Sequence, residues 1–239
     1  KFLNKFLGSM LCMPPMSAIY VYSILKNQGH EVDYIRGNKN IEITKDYDFY
    51  IVPSSIIACE SESDFINKII SKKKPVFIIG IFSNVKSSLY NKNAIIIKGE
   101  PEKFFLENEF NNNFIDKDFL RQKANENGML DNLDILPFPM WNDYLKLYKL
   151  KNNFLGYNSA PAIPIHFQRG CPYSCSNYCT YPLQQGKKVR YRTAKNVVDE
   201  IENLINKYGY NKFVFRDPVF SINRNKTIEL CDEIINRGI

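Results

Sequence analysis

Apolar and polar positions along the chain follow two periods that take turns. From Pro15 to Asn27 the residues Met16, Ile19, Tyr20, Ser23 and Ile24 recur at helical spacing, and Gly29 follows as a stop signal. Glu31 to Arg36 then reads as a strand, and Asp48 to Pro53 as a second, more apolar one. Ser61 to Ser71 returns to helical spacing through Phe65, Ile66, Ile69 and Ile70, and Pro75 to Gly80 reads as a buried strand. A further strand, Ala94 to Lys98, runs into Gly99-Glu100-Pro101-Glu102 and a short helix starting at Pro101. This alternation predicts a parallel sheet covered on both faces. In such sheets ligands bind beyond the carboxyl ends of the strands. Ser54, Ser55, the loop from Gly80 to Ser83, Gly99 and Glu100 are therefore candidate cofactor contacts. The spacing alone is equally compatible with ordinary strand-to-helix turns.

Between Asn111 and Pro164 the pattern weakens into Asn-rich, Pro-punctuated sequence, including Leu136-Pro-Phe-Pro-Met-Trp141, and reads as a linker with apolar anchors. Order returns with a strand from Ile163 to Gln168. A cysteine-rich loop follows, and then a helix capped by Thr193, with Val197, Val198, Ile201, Leu204, Ile205 and Tyr208 on one face. Lys212 to Arg216 predicts a strand and Lys226 to Asn236 a helix. The second half thus opens another parallel α/β unit.

The composition narrows the setting. With 239 residues and 44% hydrophobic content, one large or two modest globular domains are expected. The net charge of +7, from 32 basic and 25 acidic residues, is spread along the chain, so nucleic-acid binding is not indicated. Apolar runs fall short of a membrane span and no signal sequence opens the chain, which places it in the cytoplasm, where thiols stay reduced. Lys1 in place of Met, and Ile239 just after Arg237-Gly238, give both ends the look of cut ends.

Three of the six cysteines, Cys171, Cys175 and Cys179, fall within nine residues after Arg169-Gly170. A straight helix would separate the outer two by roughly 12 Å, so a loop that gathers them must curl. Zinc asks for four ligands, and no second Cys or His pair follows at suitable spacing. Three thiolates fit an iron-sulfur cluster with one iron left open to a reactant. The plainer alternative, small buried cysteines, suits Cys12, Cys59 and Cys231, which stand singly in apolar surroundings.

Arg169-Gly-Cys-Pro-Tyr-Ser-Cys through Cys179-Thr-Tyr-Pro182, the Val197-Val-Asp-Glu-Ile201 helix and Arg216-Asp-Pro-Val-Phe220 together resemble the radical S-adenosylmethionine superfamily. Pro14-Pro15, Gly29-His-Glu-Val32 and Gly99-Glu-Pro-Glu102 resemble its cobalamin-binding branch. The resemblance implies an α/β chain in which residues 1–110 form a Rossmann-like (flavodoxin-like) parallel sheet domain. Residues 111–160 would be a linker, and 161–239 the first part of a truncated radical-SAM (β/α) barrel.

It also implies chemistry. The three thiolates hold a 4Fe-4S cluster whose fourth iron chelates S-adenosylmethionine. An electron from the cluster then cleaves the sulfonium, giving methionine and a 5′-deoxyadenosyl radical that attacks a small-molecule substrate. Cobalamin is the second implied cofactor, methyl transfer one outcome, and reduced flavodoxin or ferredoxin the electron donor. The aromatic residue before the third cysteine, here Tyr178, lies near the adenine. The sequence departs from the family loop in one place, since Ser176-Asn177-Tyr178 puts three residues in the second gap where two are usual.

Asp217 is a candidate for the amine or ribose of the cosubstrate, and an Asx turn before Pro218 explains it equally well. Arg190 or Arg192 is placed to pair with a carboxylate near the cluster. The chain lacks the Asp-x-His-x-x-Gly motif of histidine-ligated cobalamin domains, and its two histidines are His30 and His166. Cobalamin is accordingly expected without a protein histidine. Two other readings remain open: a methylthiotransferase of the same superfamily, which would need a three-cysteine set in the first domain, and an iron-sulfur electron carrier or zinc module, which would need a fourth local cysteine.

Overall fold

The structure is a computed structural model and describes residues 14–35, 43, 45–110, 116–147, 162–175 and 178–239. Helix α1 (Met16–Asn27) buries Met16 and every residue from Ile19 to Leu25, so it is a core helix with no wet face over those turns. Gly29, at φ +89°, ends it, and the His30 amide reaches the Leu25 carbonyl at 3.0 Å. The strand expected from Glu31 to Arg36 does not form over 31–35, and Arg36 lies outside the described residues. The side chains there have other partners: Asp33 accepts from Lys45 and Tyr47, and Tyr34 stacks on Tyr22.

The first sheet holds β1 (Tyr50–Pro53), β2 (Val76–Ile79) and β3 (Ile95–Ile96), parallel and in the order 1-2-3. All four residues of β2 are buried, because both faces of this central strand are covered. Phe77, Ile79 and Ile95 pack with α1 and with Phe104 and Phe105 of α4 (Pro101–Glu107). On the other face Val76, Ile78, Tyr50 and Val52 meet Ile66 and Ile69 of α2 (Cys59–Ser71). The short α3 (Ile81–Val85) turns the chain back after β2.

The stretch expected to be a linker is folded across its described part, 116–147. Asp116 caps α5 (Lys117–Glu126) by accepting from the Asp118 and Phe119 amides at 3.0 and 3.1 Å. A single 3₁₀ turn (Leu133–Ile135) and α6 (Asn142–Leu147) follow. Leu120, Leu130, Leu133, Leu136, Trp141 and Tyr144 belong to the same apolar cluster as α1 and the second sheet. Short elements joined by turns give no sustained period, which is why the sequence pattern fades while the burial does not.

The second half supplies β4 (Ile163–Ile165), parallel to β7 (Phe213–Phe215), with α8 (Ala194–Tyr208) between them and α9 (Arg224–Asn236) after. Thr193 Oγ1 accepts from the Asn196 amide at 3.2 Å, as expected of a cap, and Val197, Val198, Ile201 and Leu204 are buried. The strand expected from Ile163 to Gln168 is split. β4 ends at Ile165, and Gln168 starts a separate strand, β5 (Gln168–Arg169), antiparallel to β6 (Arg190–Tyr191). The cysteine loop and α7 (Tyr181–Gln185) lie between β5 and β6. Among the described residues no helix is long and apolar enough to cross a membrane.

Trp141 is the chain's one tryptophan and is fully buried. Its emission is expected at short wavelength in the folded chain, moving red on unfolding, and Trp141→Ala is expected to cost about 3–5 kcal/mol. Urea titration followed by fluorescence for the parent, and by circular dichroism for both proteins, checks this. A solvent-like emission in the native state would return residues 116–147 to the status of a linker.

Candidate cofactor cleft and cysteine loop

The carboxyl ends of the first three strands meet at one edge. The Ser54 amide continues the ladder to the Ile79 carbonyl at 2.7 Å, and the Ser54 hydroxyl accepts from the Ser83 amide at 3.0 Å. A Cβ on Gly80, at φ +107°, would stand 3.0 Å from that hydroxyl oxygen. Gly99, at φ +66°, is tighter still, since a Cβ there would lie 2.3 Å from the Gly128 carbonyl oxygen. The loops expected to converge do so. A cleft of about 250 Å³ opens beside them, lined by Ser54, Gly80, Gly99 and Glu100, by the start of α1, and by His166, Arg169, Arg216 and Gln184 from the second half.

Of the predicted serine pair, only Ser54 lines this cleft. Ser55 is turned to α2, its hydroxyl donating to Glu62 Oε1 at 2.8 Å and its amide to Oε2 at 3.1 Å. Glu100 contributes to the lining while its carboxylate faces inward. Arg190 Nη1 and Nη2 donate to its two oxygens at 2.8 and 2.9 Å, the Leu130 amide donates at 2.7 Å, and Arg169 Nη1 stands 3.3 Å away. Burial alone would raise its pKa, yet the arginines prevail and hold it below the usual carboxylate range. Arg190 is thus paired with a carboxylate of the protein itself. Arg192 is an internal group: it ion-pairs with Glu200 and donates to the His166 carbonyl at 2.9 Å and to Asn196 Oδ1 at 2.7 Å.

At the stem of the cysteine loop, the Gly170 amide donates to Gln185 Oε1 at 3.2 Å and the Cys171 amide to the Gly186 carbonyl at 3.0 Å. Gly170 (φ +95°) lies so close to the return strand that a Cβ would fall 2.1 Å from the Lys188 carbonyl oxygen. Cys171 is buried, Cys179 half-buried and Cys175 exposed. Ser176 and Asn177 lie outside the described residues, and Tyr178 is 78% exposed. Among the described residues no three His, Cys, Asp or Glu side chains are gathered as a metal site. The structure fixes the stem of the loop.

Asp217 follows β7. Its Oδ1 accepts from the Phe167 and Gln168 amides at 3.0 and 3.2 Å, which ties the end of β7 to the start of the cysteine loop. Oδ2 is buried without a hydrogen-bond partner, and burial pushes the carboxyl up to about 7 against the pull of those two amides. The sequence pointed to Asp217 but gave no sign of Gln168 Oε1, which is also buried and unpartnered. His166 is held neutral, first by burial and then by Arg169, Arg192 and Arg216. His30 sits edge-on to Phe49, just before β1, at the far end of the sheet from the cleft.

No protein-family model matches the chain. Over 78 residues it is 45% identical to the anaerobic magnesium-protoporphyrin IX monomethyl ester cyclase of Cereibacter sphaeroides, a stretch covering 33% of this chain and 12% of that protein. Over 92 residues it is 33% identical to the cytidylyl-2-hydroxyethylphosphonate methyltransferase of Streptomyces wedmorensis, covering 37% and 17%. The radical S-adenosylmethionine methyltransferase TsrM from Kitasatospora setae, with tryptophan and a S-adenosylmethionine analogue bound, superposes with a TM-score of 0.59 at 16% identity. That match covers 94% of this chain and 48% of TsrM. Over that span the chain shares its fold with TsrM. The shared fold takes in both the first sheet and the part of the chain that carries the cysteine loop. TsrM with cobalamin and a 4Fe-4S cluster bound superposes almost as well, at 0.58. The chain spans less than a quarter of the length of these curated relatives and about half of TsrM.

The buried carboxyl of Asp217 gives a prediction. Between about pH 4 and 7 the folded state keeps a proton on Asp217 that the unfolded chain has released, so this group's contribution to stability falls as the pH rises. Asp217→Asn removes that loss. Urea melts should show little difference from the parent near pH 4 and a gain on the order of 2–4 kcal/mol above about pH 7.5. A gain independent of pH would contradict the assignment.

Proposed function

We propose that this chain is the cofactor-holding part of a radical S-adenosylmethionine enzyme of the cobalamin-binding branch, acting on a small molecule, with methyl transfer the outcome best supported by its relatives. The observation that carries the proposal is the shared cleft. The strand-end loops of the first sheet face Arg169, Gln184 and Gln185, which flank the cysteine loop, so one opening lies between that sheet and the base of the loop.

The donor set fits a 4Fe-4S cluster. Cys171, Cys175 and Cys179 are soft ligands on one loop, a fourth cysteine is absent from it, and the loop's two ends are pinned. When bound, such a cluster would supply the electron that cleaves S-adenosylmethionine. The chain's own groups would position the partners. The buried Asp217 Oδ2 lacks a hydrogen-bond partner, which suits an ammonium or a ribose hydroxyl, and the exposed Tyr178 ring is available to an adenine. On the first sheet, Ser54, Gly80 and Gly99 line the cleft that a corrinoid would enter, with no histidine on those loops. The enzyme would work in the cytoplasm and draw its electron from reduced flavodoxin or ferredoxin.

Anaerobic reconstitution is expected to give one 4Fe-4S cluster per chain, and Cys175→Ala to lower retained iron and sulfide by about tenfold. Unchanged iron in that variant would reject the ligand assignment. After reduction, chromatography should show slow release of 5′-deoxyadenosine above the Cys175→Ala background. An intact reduced cluster that releases none would turn the reading toward an electron carrier.

A further inference from the structure

Arg169 stands two residues before Cys171 and is 3% exposed. Its Nη2 donates to Glu102 Oε1 at 3.0 Å, its Nη1 is 3.3 Å from Glu100 Oε1, and its guanidinium lies 5.1 Å over the Tyr20 ring. Directly across the β5–β6 ladder stands Arg190. Two like charges in register repel each other, so this pairing needs a counter-ion between them. Glu100 provides it, reaching both arginines. Both carboxylates come from the loop and first turn after β3, on the cleft edge of the first sheet. Two arginines and two glutamates therefore close a buried, charge-balanced clamp across the two sheets. Buried ion pairs of this kind contribute little net stability, because desolvation offsets the attraction, so their effect is chiefly on placement.

We propose that this clamp is a positioning device for the cysteine loop. It holds Cys171 buried, in one place, before any cluster is present, and ties that place to the cleft edge of the first sheet. Glu100, Glu102, Arg169 and Arg190 are its positioning residues. Its purpose rests on the cluster reading above; its existence does not, and the two are tested separately.

The test replaces Glu102 and Arg169 together, as Glu102→Leu with Arg169→Met. This removes the tether without stranding a charge, while Glu100 keeps its fork to Arg190 and its Leu130 amide. The cluster-free chain is pulsed with iodoacetamide under reducing conditions, and each cysteine is read by mass spectrometry. In the parent, the exposed Cys175 should alkylate at least about tenfold faster than Cys171, and in the double variant Cys171 should gain about tenfold while Cys59 in α2 stays unchanged. If the double variant fails to melt cooperatively, Glu102→Gln, which keeps the shape and the Glu100 counter-ion, should raise Cys171 alone by about threefold. Cys171 staying protected in a cooperatively folded variant, or Cys59 and Cys171 rising together, would overturn the clamp. Iron loading separates the two readings. A parent that takes up no iron defeats the cluster assignment and leaves the labelling result to decide the clamp.

Discussion

The structure turns on one carboxylate. Glu100 is buried between Arg169 and Arg190, which face each other across a two-stranded ladder, and it is the one carboxylate that reaches both. Removing a single partner from such a group leaves a charge without water or counter-ion, a loss on the order of 3–5 kcal/mol. The requirement is also geometric. Glu100 leaves the end of the first sheet and its partners belong to the hairpin that carries the cysteines, so neither part can shift without separating charges in a dry interior. The apolar core runs in the same direction, with α1 and Phe77 in one continuous cluster with Ile163, Ile165 and Phe167.

Three close backbone approaches let that carboxylate reach its partners. Gly99 comes against Gly128, and the Glu100 amide donates to the Gly128 carbonyl at 2.9 Å; one residue earlier, the Lys98 amide donates to the Ala124 carbonyl at 3.0 Å. Gly170 comes against Lys188 on the far side. The segment 116–147 thus supplies the backbone that holds the Glu100 loop, and its Leu130 gives both an amide to Glu100 and a carbonyl to Arg190. A stretch that reads as a spacer is a supporting wall of the site.

The sequence shows what depends on local pattern. The run Val76-Phe-Ile-Ile79 is apolar because β2 is covered on both faces, and the cap at Thr193 is a local hydrogen bond, so both are readable from their own residues. The convergence of Ser54, Gly80 and Gly99 follows from the parallel sheet they imply. Long-range partners leave no such trace. Whether Glu31 to Arg36 joins a ladder depends on a neighbouring strand, and the side chains of 31–35 that pair elsewhere are polar and aromatic ones that alternate just as strand residues do. Ser55 and Ser54 are chemically alike, and only the start of α2 decides that one binds Glu62 while the other borders the cleft. Arg192 sits in a basic run that suggests a solvated loop, yet its counter-ion Glu200 is one helical stretch away and fully buried.

This spending of charge determines what is left at the cleft. Arg169 and Arg190 are matched by Glu100 and Glu102, and Arg192 by Glu200, so these three arginines are spent on partners within the protein. The positive field of Arg169, Arg192 and Arg216 joins burial in keeping His166 neutral. Arg169 and Arg192 also pull the Asp217 proton off, but more weakly than burial holds it on, because a desolvated carboxylate must find its stabilisation in close hydrogen bonds, and two backbone amides on one oxygen are not enough. A cationic group brought within reach of Oδ2 would supply the missing stabilisation and release the proton. The ionised state of Asp217 is thus tied to what lies beside it, whereas Glu100, whose cations are built into the chain, is ionised in advance.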